Sequence, residues 1–172
     1  ITSLDVDLAY TLADDSVANV DILLNPSNWR AGDNFESGLI SGGWGFTGSW
    51  LDTGQVLVTL DSNAFSGKYY LMLKRVATAK RQIDLSSYSS AKIRFFARLE
   101  VFDPTDTAYF EISDDGGSVW QTLATWAGGE LGTYTYQQFD LSSYNLVSNF
   151  FIRFRTDAQS ADKRLFIDEL YF

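Results

Sequence analysis

Polar and apolar residues change places at every second position through most of this chain. The period is two in "RLFIDELYF" (164–172), "NFFIRFRT" (149–156), "TAYFEIS" (107–113) and "AKIRFFARLEVF" (91–102). Successive side chains of a strand point to opposite faces with that same period. Similar runs are "LDVDLAYTL" (4–12), "QVLVTLD" (55–61), "KYYLMLKRV" (68–76), "SVWQTLATW" (118–126) and "TYTYQQFDL" (133–141). Clusters of Gly, Asn, Asp and Ser separate them, among them "NPSNWRAGDN", "SGGWGFTGS", "DSNAFSG", "DDGG" and "AGGELG". No long segment carries the 3.6-residue period of a helix. The chain reads as all-β with about ten to twelve strands, in a sandwich or a barrel.

An internal echo favours the sandwich. "QIDLSSYSSAKIRFFARLE" (82–100) resembles "QFDLSSYNLVSNFFIRFRTD" (138–157), and each copy turns through Ser-Ser-Tyr into an aromatic strand. Two copies are too few for a propeller or a solenoid. They suit two equivalent corners of a two-sheet fold; one favoured turn used twice is the alternative. Pro26 and Pro104 both fall between runs, as strands require. Residues 1–28 read less like the rest and suggest an added hairpin or the tail of a preceding module, with 29–172 as the body of a single domain.

Several functions are excluded by residues that are missing. The 172 residues include no cysteine and no histidine. Disulfides, thiolate metal sites, the usual zinc sites and histidine-dependent nucleophilic catalysis are therefore out of reach. The aromatic content of 16% supplies a large core without staples. A net charge of −9 repels nucleic acid and anionic membrane surfaces. It suits a secreted protein, or one that collects hard cations. No apolar run approaches the roughly 18 residues of a membrane span. A start at Ile1 without Met suggests part of a longer, secreted chain.

"SDDGGSVW" (113–120) fits S-x-D-x-G-x-x-W, the Asp-box of sialidases and other secreted β-proteins. Every residue of it has a folding role. Asp114, Asp115, Gly116 and Gly117 supply the positive φ of a tight turn, Ser113 and Asp115 bind turn amides, and Trp120 packs beneath. A Ca²⁺ loop and a catalytic role are the alternatives. A second constellation joins "GDNFESG" (32–38), "DSNAFSGKYYLML" (61–73) and "LFIDELYF" (165–172). Asp168 shares a face with Phe166, Leu170 and Phe172, where a carboxylate is costly without a cation or hydrogen bonds. Oxygens for Ca²⁺ are available on Asp33, Glu36, Asp168, the backbone near Lys68, and Asp61. Pairing of Asp168 with Arg153 or Arg155 is the alternative.

The order of "NFESG", "SGKYYL", "RQIDLSSY", "SDDGGSVW", "FIRFRTD" and "FIDELYF" resembles the jelly-roll accessory modules of secreted bacterial hydrolases. These include carbohydrate-binding modules and the related meprin/A5-like domains, and the resemblance covers roughly residues 30–172. It implies a two-sheet antiparallel jelly roll and a structural Ca²⁺ held by Glu36, the Lys68 carbonyl and Asp168. It also implies a non-catalytic monomeric module that binds polysaccharide through aromatic rings. Ring candidates are Trp44, Trp50, Trp126 and Trp29 in glycine-rich loops, and Tyr109, with Tyr69, Tyr134 and Tyr136, on a sheet face. Arg98, Arg94 or Gln137 would supply hydrogen bonds. The rival readings are an adhesive module that contacts protein, and a small glycan-active enzyme using Asp103, Asp106 or Glu111.

Overall fold

The computed structural model describes residues 29–172, and all the regular structure in it is strand. The strands are β1 (Gly32–Asp33), β2 (Phe46–Leu60), β3 (Tyr69–Ile83), β4 (Lys92–Glu100), β5 (Thr107–Ser113), β6 (Gln121–Ala127), β7 (Thr135–Asp140), β8 (Phe150–Thr156) and β9 (Arg164–Tyr171). Every pairing between them is antiparallel.

Strand β3 organises the fold. One of its edges holds β2 from Phe46 to Leu60. Its other edge holds β9 through Leu71–Lys74, then β8 through Ala77–Ile83. The change of partner falls at Arg75, whose φ is +59°. Opposite it, Gly54 has φ +81°, and a β-carbon there would collide with the Val76 carbonyl. Only glycine accepts both conditions. The long β2–β3 hairpin therefore bends once and contributes to two layers. The first runs β2–β3–β9–β4–β7, with β1 added beside β9; the second runs β2–β3–β8–β5–β6.

The inner faces meet in a dry aromatic core. Ile93, Phe95, Ala97 and Leu99 of β4 face Phe110 of β5 and Phe154 of β8, which gives those strands their alternation. The Phe95 ring lies 4.9 Å from Phe110 and 5.0 Å from Phe154, both edge to face. Such pairs add about 0.5–1.5 kcal/mol beyond their buried area.

The two Asp-Leu-Ser-Ser-Tyr segments are equivalent corners. In each, the aspartate accepts the amide two residues on (Ser86 to Asp84, Ser142 to Asp140, both 2.9 Å). In each, the tyrosine amide closes a turn on the leucine carbonyl at 3.0 Å. Leu85 and Leu141 are buried, and their amides are answered crosswise, Leu85 by the Val147 carbonyl and Leu141 by that of Ala91.

Nine strands lie among the described residues, where ten to twelve were expected over the whole chain. Part of "SGGWGFTGSW", read as loop, is the start of β2, and β3 runs on to Ile83, beyond the run expected at 68–76. The run at 4–12 and the expected N-terminal hairpin lie outside the described residues.

Candidate functional site

The outer faces of the two layers differ. On the first, Tyr70, Met72 and Phe166 form a small buried cluster capped by Ala64 of the β2–β3 loop. Phe65 of the same loop stacks on Phe96 at 3.8 Å. That loop covers the face. The outer face of the second layer stays open.

Alternation decides what stands there. Ile152 and Phe154 point inward, which turns Arg153 and Arg155 outward; Phe110 and Ile112 do the same for Tyr109 and Glu111. Register then assembles two rows across the strands. One is Leu51, Lys80, Arg153, Glu111 and Thr122; the other is Thr53, Thr78, Arg155, Tyr109 and Thr125. A groove of about 220 Å³ opens on this face, lined by Leu51, Asp52, Thr53, Thr78, Lys80 and Arg153.

Glu111 is the hub. It is only 4% exposed and accepts Arg153 Nε at 2.6 Å and Arg155 Nε and Nη2 at 3.3 and 3.2 Å. Burial alone raises its pKa; the bonds and charges of the two arginines outweigh that and leave it lowered. Each guanidinium also lies 3.7 Å from a ring centroid, Arg153 over Trp120 and Arg155 over Tyr109. Held between a ring and a carboxylate, both are fixed in direction. Both terminal nitrogens of Arg153, Nη1 of Arg155 and the Lys80 ammonium have no acceptor among the described residues.

The "SDDGGSVW" turn supports one of these rings. Ser113 Oγ donates to Asp115 at 2.7 Å and accepts the Gly117 amide at 2.8 Å. Asp115 takes the Ser118 and Val119 amides as well. Gly116 and Gly117 have φ of +79° and +91°. The closed turn delivers Trp120 beneath Arg153.

The other expected residues scatter. Trp50 and Trp126 are 2% and 6% exposed and belong to the core, so neither offers a ring to a ligand. The reason for Trp50 is polar: its Nε1 donates to buried Asp33 at 3.1 Å. Trp29 stacks against Arg94 and Tyr171, and half-exposed Trp44 bridges to Gly32 near the same Tyr171. Tyr69 packs against the core, and Tyr134 and Tyr136 line the first layer. Arg98 is on that covered face too, over Phe166 and bonded to Asn63. Tyr109 alone of the named candidates reaches the open face. Arg153, Arg155, Lys80 and Trp120 were not among them.

The expected metal ligands divide as well. Asp33 is committed to Arg81 at 2.7 Å in a buried ion pair and also takes the Phe35 amide, so its oxygens are engaged. Asp61 caps its own turn through the Asn63 amide. Glu36 accepts the Lys68 and Tyr69 amides, both at 2.8 Å. Asp168 accepts the Phe65 and Ser66 amides at 2.9 and 3.1 Å and pairs with neither Arg153 nor Arg155, which belong to Glu111 in the other layer. Burial, opposed by those amide bonds, raises the Asp168 pKa to about 7. Among the described residues no three acidic side chains converge on one point. The carboxylates weighed for hydrolysis are also taken: Lys163 joins Asp103 and Asp106 at 2.6 and 2.5 Å. Burial raises the Asp106 pKa, yet Lys163 and the Asp103 amide leave it lowered.

A scan against protein-family models finds no match, and a search of curated proteins finds none. Solved structures do match. A family 61 carbohydrate-binding module in complex with β-1,4-galactotriose shares 18% identity at a TM-score of 0.57, over 80% of this chain and 92% of its own. The C-terminal family 22 carbohydrate-binding module of Clostridium thermocellum xylanase 10B shares 15% at 0.56, over 83% and 92%. The fold is the jelly roll of these modules. The K2 cleaved adhesin domain of Lys-gingipain has it too, with 15% identity at 0.56, over 82% and 97%.

Proposed function

We propose that this chain is a non-catalytic module that binds polysaccharide on the open face of its second layer. The carrying observation is the pair of rings, Trp120 and Tyr109, each under an arginine locked by Glu111, with donors left over beside a groove. Sugars offer hydroxyl acceptors and apolar C–H faces, which such a surface meets with fixed donors and ring edges. The jelly roll shared with a galactotriose-bound module supports the reading. In this view the module belongs to a longer secreted protein and acts as a monomer.

Affinity electrophoresis through gels containing soluble glycans tests it. Retardation by at least one glycan, reduced about tenfold in affinity by Tyr109→Ala or Trp120→Ala, is the expected result. No retardation in any gel would overturn it. The likeness to an adhesin domain favours a second reading, a protein-contacting module, which expects capture of a protein partner through this face and indifference to glycans.

Calcium belongs to the same proposal. Glu36 and Asp168 grip the two ends of one loop, Phe65–Tyr69. With the Lys68 carbonyl they are the groups that would hold a structural ion there, which would relieve the cost of burying the Asp168 charge.

A further inference from the structure

We infer that the glycan bound on the open face carries isolated uronate groups on an otherwise neutral backbone, and that one carboxylate seats between Lys80 and Arg153. This rests on the glycan-binding reading and narrows it. The chain as a whole is strongly acidic, with 22 acidic against 13 basic residues. This face is less one-sided: Lys80, Arg153 and Arg155 stand on it with the buried Glu111, with Asp52 in the groove lining and with Asp157 at the far end.

The donors left over have the shape for a carboxylate. Glu111 bonds Arg153 through Nε, which leaves the end-on pair of N–H groups on the two terminal nitrogens without an acceptor among the described residues. A guanidinium presents such a pair to both oxygens of a carboxylate at once. Lys80 is paired in register with Arg153 and lines the same groove, adding a point charge beside the fork. A neutral sugar seated there would strip water from an ammonium and return only hydroxyl contacts, which is a poor exchange.

Asp52 restricts the choice further. It lines the groove with Lys80 and Arg153, so two cations face one anion there. The Asp157 carboxylate, at the far end of the row, is held by the Thr107 amide and the Tyr109 hydroxyl. A polymer with a carboxylate on every ring would bring charge against both aspartates. One with scattered acidic branches would not.

Titration calorimetry with glucuronoxylan, the same polymer after carboxyl reduction, and polygalacturonate tests the inference. Carboxyl reduction is expected to weaken binding about tenfold, the effect of one charge-assisted contact. Lys80→Gln, at a half-buried strand position, should close most of that gap, whereas Lys92→Gln on the other layer should leave both affinities as they were. Equal affinity for the native and reduced polymers, or no effect of Lys80→Gln, would overturn the uronate assignment and leave glycan binding standing. Tighter binding to polygalacturonate would overturn the preference for isolated groups. Failure to bind any of these or a neutral galactan would overturn the parent reading as well.

Discussion

Glu111 shows how one buried side chain can fix the direction of two others. Its carboxylate satisfies two arginines that would otherwise stand unpaired, and in doing so aims them. Because its pKa is lowered on folding from the ordinary 4.5, the unfolded chain binds the proton more tightly. Its contribution is therefore present above that value and lost as pH falls through the lower, folded one. We expect Glu111→Gln to cost about 2 kcal/mol at neutral pH, and the gap in melting temperature from wild type to shrink below about pH 4.5. A gap constant with pH would contradict the assignment. The buried pair of Asp33 and Arg81 is the harsher case, since each is almost fully enclosed. Arg81→Leu should cost about 3–5 kcal/mol by stranding the aspartate. Adding Asp33→Asn should recover part of that in a double-mutant cycle; strict additivity would sink the idea of direct pairing.

Among the strands, β3 matters most because it serves two layers with a single bend. Gly54 and Gly129 both have positive φ, but only Gly54 is pressed against a neighbouring carbonyl. Gly129→Ala should therefore cost about 1 kcal/mol, the conformational strain alone. Gly54→Ala should cost distinctly more in the same denaturant titration; equal losses would show that the corner is not tightly closed. Alternation made the strands legible in the sequence, and the twin corners with them. It could not reveal that β2 and β3 each run through two layers, because period two says which face a residue takes and not which strand lies beside it. The open face of the second layer went unnamed for the same reason. Tryptophans in glycine-rich loops drew attention, yet Trp50 is drawn inward by Asp33, while the face proposed for binding is made by register between "FIRFRT" and "YFEIS". The available signal was charge on the polar positions of two aromatic strands.

At the level of the whole molecule, Asp168 ties the closing strand to a loop more than a hundred residues earlier. Its pKa rises from 3.8 to about 7, first through burial and also through the Glu169 charge, with Tyr134 and Arg98 nearby. The folded state then holds the proton more tightly than the unfolded one, so stability falls as pH climbs from about 4 to about 7. In a chelator, Asp168→Asn should flatten that decline. Added Ca²⁺ should raise the wild-type melting temperature by several degrees at pH 7, equivalent to about 2.7 kcal/mol at a hundredfold excess over Kd, and do little for the variant. An unchanged melting curve would leave the loop held by amides alone.

The crosswise answer between Leu85 and Leu141 carries a kinetic consequence. Neither corner can complete its bonding from its own neighbourhood, because each waits for the stretch that follows its twin. A nascent chain that ends before Val147 thus leaves the first corner open, and closure becomes a late, concerted event instead of a progression from one end.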